Sequence, residues 1–200
     1  MFHFLRNQEL KEPGKPNLCL SDFVAPLESG LQDYMGFFVV TSGLGVEKCV
    51  EKFTSNNDDY SAIMVKILAD RMAEAFTELL HVKVRKELWA YAPDEEMDLT
   101  DMLHEEYQGI RPAPGYPACP EHSEKETLFE LIDASRAGVA LTENFAMYPA
   151  ASVSGFYFAN PESCYFNVGR INEDQLEDYA LRKQMSMPDA RRWLASNLND

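Results

Sequence analysis

Over residues 59–88 apolar side chains return at three- and four-residue steps: Tyr60, Met64, Ile67, Leu68, Met72, Ala75, Phe76, Leu79 and Val82, with Lys66, Asp70, Arg71, Glu78 and Lys86 between them. That spacing predicts a long amphipathic helix, with Asn57 or Asp58 available as its N-cap. Shorter helices are expected over residues 46–52, 99–107, 123–134, 173–185 and 188–197, the last with Ser186 or Met187 near its cap and Pro188 in its first turn. Strands are expected over residues 18–24 and 34–41 as an antiparallel pair, and over 153–158 and 163–168, joined by a turn at Asn160, Pro161 and Glu162. The polar stretch before Asn17, broken by Pro13, Gly14 and Pro16, reads as an arm over residues 1–16. Helices gathered around a few antiparallel strands make an α+β domain over residues 17–200.

Composition narrows the possible partners. With 46% hydrophobic and 12% aromatic residues the chain has the material for a packed core. A formal net charge of -15 argues against nucleic acid and anionic membrane, which are bound through Lys and Arg. No apolar run is long enough to span a bilayer and no signal-peptide pattern is present. Cys19, Cys49, Cys119 and Cys164 are scattered without a CxxC, as expected of reduced thiols in a cytoplasmic protein. Cys119 and His122 have the spacing of half a metal site, but no second pair accompanies them, so no metal is expected.

The densest chemistry lies in residues 108–122, where four prolines and two glycines surround Arg111, Tyr116, Glu121 and His122. Proline fixes φ and removes a donor, so this run is neither helix nor central strand. A loop stiffened in this way has little entropy left to lose when a ligand arrives. Arg111 gives it a permanently charged planar fork beside a glycine and an aromatic face. Two readings stand on the residues alone: a clip for a small anionic ligand, or a rigid connector whose arginine pairs with a carboxylate of its own protein.

At this loop the sequence resembles the activation domain of cobalamin-dependent methionine synthase, the module that binds S-adenosylmethionine. The segment from Tyr107-Gln108-Gly109-Ile110-Arg111 to Pro117 carries the likeness. So do Asp59-Tyr60-Ser61-Ala62-Ile63-Met64, Ala69-Asp70-Arg71-Met72-Ala73-Glu74, Leu141-Thr142-Glu143-Asn144-Phe145, Ala151-Ser152-Val153-Ser154-Gly155 and Gln175-Leu176-Glu177-Asp178-Tyr179. These stretches keep the family's order. The resemblance implies a twisted antiparallel sheet flanked by helices. It also implies a further N-terminal segment supplying an aspartate to the ligand, which this chain begins too late to contain.

The resemblance gives the residues roles, each beside a plainer one. Arg111 would grip the ligand's carboxylate, which a guanidinium pairs bidentately. Ala113 would offer backbone groups, and Gly115 close backbone approach or simply a turn with positive φ. Tyr116 would face the cobalamin, or pack on its own loop. Glu74 would offset the positive sulfonium, or lie on a solvated helix face. Tyr165 and Phe166 would meet the ligand from a strand, and one of this adjacent pair must point the other way; Tyr165 is favoured for the ligand. Glu121 reads as a complement to a helix dipole and His122 as structural. His81 and His104 lie on helical patterns without a partner motif and carry no assigned role.

The implied function is binding of S-adenosylmethionine and support of reductive methylation of cob(II)alamin held by a methionine synthase. The alternative is a shortened docking module that binds the synthase without the methyl donor. A self-sufficient methyltransferase is disfavoured because no Gly-rich strand-turn-helix nucleotide site is present. Partners would be the cobalamin-binding module and a flavodoxin-type electron donor. Flavodoxins are acidic, so this chain would need a local basic patch. The candidates are Lys83, Arg85 and Lys86 with His81, and Arg182 and Lys183 with Arg191 and Arg192, unless these are solvated faces.

Overall fold

The computed structural model describes residues 1–199 and divides into two compact units. The proline unit is built from Met1–Gly36, Gln108–Thr127 and Phe156–Asp200; the long-helix unit from Phe37–Tyr107 and Leu128–Gly155. In chain order the elements are 3-10 turns Leu20–Phe23 and Leu27–Ser29, β1 Gly36–Thr41, α1 Val46–Thr54, and α2 Asp59–Lys83 running on as a π-turn Val84–Leu88. There follow α3 Leu99–Leu103, α4 Glu124–Ile132, a 3-10 turn Ala134–Ala137, β2 Ala140–Leu141, β3 Met147–Tyr148 and β4 Ser152–Tyr157. α5 Glu173–Lys183, α6 Met187–Trp193 and a 3-10 turn Ala195–Asn197 complete the order. The expected α+β class is what is found.

In the long-helix unit, α2 starts where its cap dictates. The Asp58 carboxylate accepts the Ser61 N–H at 3.0 Å, satisfying one of the donors that a helix N-terminus leaves over. The helix matches the predicted span, but its faces are reversed. Ala62, Ala69, Ala73, Thr77 and His81 are buried, while Tyr60, Ile67, Leu68, Met72, Phe76 and Leu79 are exposed. The row of small residues permits a close helix-to-helix approach that a row of large ones would hold apart, and α1 packs against α2. Thr77 fits this inner row by returning its hydroxyl to the Ala73 carbonyl at 2.9 Å. β1 pairs with β4: the Ser42 N–H donates to the Ala151 carbonyl at 3.0 Å, so the end of one strand meets the start of the other and they run antiparallel. β2 and β3 form a second antiparallel pair.

The proline unit has two packed regions. Leu5, Val168, Ile171, Leu176, Tyr179, Ala180, Ala190 and Leu194 form one core, with Phe166 and Met185 against it. Phe156 receives Phe2 and Phe4 edge-on, and Phe158 receives Phe4 and Phe23. Such edge-to-face pairs add about 0.5–1.5 kcal/mol each beyond the area they bury. Residues 1–16, expected as an arm, form no helix or strand, yet Leu5 and Asn7 are buried. The Asn7 amide donates to the Asn167 carbonyl at 2.5 Å and so ties this stretch in. α5 opens with a reciprocal cap, the Gln175 side chain accepting the Asn172 N–H at 2.7 Å. Ser186 caps α6, with Pro188 in its first turn as expected.

Two expected strands are absent. Residues 18–24 turn as the 3-10 helix Leu20–Phe23 because the Asp22 carboxylate takes the Cys19 N–H at 2.9 Å and is itself held by Arg6. This also removes the predicted pairing with residues 34–41. Residues 163–168 make the predicted turn, Ser163 N–H to Asn160 carbonyl at 3.0 Å, but form no return strand. Their backbone partners lie elsewhere: the Val168 N–H donates to the Pro117 carbonyl at 2.9 Å, and the Asn167 carbonyl is taken by Asn7. The helix expected over 99–107 stops at Leu103.

Candidate functional site

The proline loop is held on both sides. Ile110 and Phe158 exchange both backbone hydrogen bonds at 3.0 Å, and the Phe156 N–H donates to the Pro112 carbonyl at 2.9 Å. The Gln108 side chain adds a bond to the Ala159 carbonyl at 3.0 Å. Ahead of Tyr116 the chain turns tightly: the Gly115 N–H donates to the Cys119 carbonyl at 2.7 Å and the Cys119 N–H to the Tyr116 carbonyl at 2.9 Å. Gly115 sits at φ +95, a backbone region open to glycine. Its missing side chain also makes room, because a Cβ there would come within 2.3 Å of the His122 ring.

Six of the seven residues nominated from the sequence fall in the proline unit. Arg111 is half-buried, and its backbone N–H donates to the Tyr165 phenol oxygen at 3.0 Å, which brings the 163–168 segment to the loop. Pro112, Ala113 and Pro114 are buried, whereas Gly115 and Tyr116 are exposed. Tyr165 is partly exposed while Phe166 packs against Phe23 and the Leu5–Val168 core, so the adjacent pair does point two ways, from irregular chain and not from a strand. Glu74 belongs to the long-helix unit and is exposed on α2, as Met72 and Phe76 are.

Behind the loop lies a cluster that the sequence reading did not assemble. Lys183 Nζ bonds Glu121 at 2.7 Å and Glu124 at 2.5 Å, and the Tyr179 hydroxyl reaches the same two carboxylates at 3.0 and 3.1 Å. Both carboxylates are buried. Burial pushes the Glu121 carboxyl up, but the Lys183 charge and the bonds from Lys183 and Ser123 outweigh it and hold the group below its ordinary value. Burial and the two carboxylates push the Tyr179 phenol strongly up, so it stays a donor. Glu121 thus does more than complement a dipole. The legible signal was spacing: Glu121 and Glu124 stand three apart, Tyr179 and Lys183 four apart on α5.

The proposed basic patches are occupied. Lys183 is in the buried cluster, Arg182 pairs with Asp178, Arg191 with Glu173, and Arg192 lies over the Trp193 ring. Arg85 is buried against Glu95 at 2.7 Å and lies 4.4 Å from the Tyr107 ring centroid, and Lys86 bonds the Glu95 carbonyl. His81 is a core residue beside Tyr107, and burial with the Arg85 charge holds its imidazole down to about 3. Cys119 is buried and its thiol is pushed well up by that burial, while His122 Nδ1 faces Lys125 Nζ at 2.8 Å, so neither is poised as a metal ligand. No described helix is long and apolar enough to cross a membrane. The long-helix unit has a cavity of about 620 Å³ edged by Glu47, Asp70 and Tyr148, and none of the nominated residues line it.

The chain is similar to a crystal structure of the MetH reactivation domain bound to AdoHcy. Sequence identity is 54% and the TM-score 0.94, over 99% of this chain and 61% of that one. The model of the family described as "Vitamin B12 dependent methionine synthase, activation domain" matches residues 1–184. The chain belongs to that family, the activation domains of vitamin B12-dependent methionine synthases.

Proposed function

We propose that this chain binds S-adenosylmethionine on the proline loop and supports the reductive reactivation of cobalamin held by a methionine synthase. The observation that carries this is the tie between the Arg111 backbone N–H and the Tyr165 phenol at 3.0 Å, on a loop whose prolines and cross-bonds set its shape. It puts a planar cation, an aromatic hydroxyl and the open backbone at Gly115 within one unit. That donor set suits an amino-acid carboxylate with an apolar, cationic remainder. The AdoHcy-bound neighbour, 54% identical, supports the same ligand class.

In this reading Arg111 pairs with the ligand carboxylate, and Ala113 and Gly115 present backbone to it. Tyr165 lies alongside with Phe166 as its packed base, and Tyr116 faces the cobalamin from the exposed tip. When bound, cobalamin supplies the nucleophile that takes the methyl group from sulfur, after one electron from a flavodoxin-type donor. The work of this chain is to hold the methyl carbon in line and to keep its donor oriented. Its partners are the cobalamin-binding module and the electron donor, in the cytoplasm.

Titration calorimetry with S-adenosylmethionine tests the proposal. Saturable binding to the chain is expected, weakened roughly a hundredfold in Arg111→Ala, the equivalent of about 2–3 kcal/mol for a charge-assisted pair. Absence of saturable binding, with binding to a cobalamin-loaded synthase retained, would replace this reading with that of a docking module.

A further inference from the structure

His122 lies at the back of the ligand loop, and two contacts define its state. The first is with Gly115: a Cβ built there would come 2.3 Å from Cε1, 2.7 Å from Nδ1 and 3.0 Å from Nε2. The imidazole edge therefore occupies the place a side chain would take and abuts the backbone that turns Tyr116 outward. The second is with Lys125, whose Nζ stands 2.8 Å from Nδ1. An ammonium has donors only, so Nδ1 must accept, and the ring is the neutral tautomer with its proton on Nε2. Lys125 is itself buried and cannot swing freely into water.

We propose that His122 is a positioning residue for the ligand loop: braced by Lys125, its neutral imidazole backs Gly115 and fixes the turn that presents Tyr116 outward. This rests on the reading that the loop holds S-adenosylmethionine. The charged groups around the ring are few. Lys125 on α4 is in direct contact, and Glu121, one residue before, carries the opposing charge. Cys119 on the loop, which also acts on Lys125, is a buried thiol held protonated. Burial and Lys125 together outweigh Glu121 and keep the imidazole below its ordinary value. Protonation would set two cations 2.8 Å apart and push the ring off the glycine. Because the folded group is depressed, the brace is intact at and above the ordinary histidine value of about 6.5 and is lost only as pH falls through the lowered folded value.

The test pairs His122→Ala with His122→Asn, whose Oδ1 can still accept from Lys125. Binding of S-adenosylmethionine by calorimetry is expected to weaken about tenfold in the alanine variant and to stay within threefold in the asparagine variant. As pH is lowered from 7.5, the wild type should hold its affinity to about 6.5 and lose it only below that, while the asparagine variant stays level. Exchange of the Gly115 amide, bonded to the Cys119 carbonyl, should quicken in the alanine variant alone, with exchange in α5 unchanged. Alanine binding within twofold of wild type, or a Gly115 amide as protected as before, overturns the proposal. Should the wild type bind no S-adenosylmethionine, the functional reading fails by itself, and the amide measurement still decides whether His122 braces the turn.

Discussion

Each unit buries charge, and each does so differently. In the proline unit two carboxylates, Glu121 and Glu124, share one lysine and one tyrosyl hydroxyl. In the long-helix unit Arg85 has its carboxylate in Glu95, and the space around it is filled by Tyr107 and a neutral His81. The first arrangement is acid-rich and needs its cation; the second is aromatic and needs its histidine uncharged. A buried ion pair is poor evidence of added stability, but the removal of one partner leaves the other uncompensated. The two units should therefore fail under different insults, and the Glu121–Lys183 cluster should be the one that tolerates mild acid.

The largest effect should come from removing the shared cation. Lys183→Met leaves two carboxylates facing each other in a buried site, at a cost of about 3–5 kcal/mol. Denaturant unfolding followed by hydrogen exchange should show the loss in the proline unit, with α2 amides little changed. An equal loss in both units would erase the contrast.

Acid should act on the long-helix unit first. His81 is fully buried and titrates near 3 when folded, so the unfolded chain takes up its proton at higher pH than the folded one. Stability from this residue is complete above about 6.5 and declines as pH falls toward 3, by as much as a few kcal/mol. Glu121, held below its ordinary value, loses its contribution only as pH falls through the carboxylate range. Exchange rates of α2 amides should rise between pH 6 and 4.5 before those of α5 do, and His81→Gln should flatten that rise. Earlier loosening in α5 would invert the comparison.

Smaller effects sharpen it. Gly115→Ala forces a side chain into the left-handed region and against the His122 ring, for about 1–2 kcal/mol. The loss should appear as weaker ligand binding rather than as a shifted midpoint for α2. The smallest is Asp58→Ala, which removes the α2 cap and should raise exchange in the first turn of that helix alone. Spread of that change beyond the first turn would mean the helix depends on its cap more than on its packing.

Much of this was legible in the sequence, and the exceptions share a cause. The long helix, its cap at Asp58, strand β4 and the cap at Ser186 all follow from local pattern and side-chain chemistry. So does the irregular proline loop. What local pattern could not supply was the identity of distant partners. Residues 18–24 have strand composition, but Arg6 and Asp22 draw them into a 3-10 turn. Residues 163–168 alternate well enough for a strand, but Asn7 and Pro117 take their backbone groups. On α2 the apolar stripe reads as a core face because large residues are usually buried; here the alanines are. The nominated loop residues come together because the loop is short, whereas the Glu121–Lys183 cluster joins residues 62 positions apart.

The proline unit draws on three separate stretches of chain, and this sets an order of events during synthesis. Phe2, Phe4 and Asn7 leave the ribosome before their partners Phe156, Phe158 and Asn167, Asn167 a full 160 residues after Asn7. α2, whose backbone bonds are local, has no such distant partner to wait for in its hydrogen bonding. Until Phe156 and Phe158 emerge, the proline loop lacks the backbone bonds that hold Ile110 and Pro112, so its shape waits on chain made some forty residues later than the loop itself.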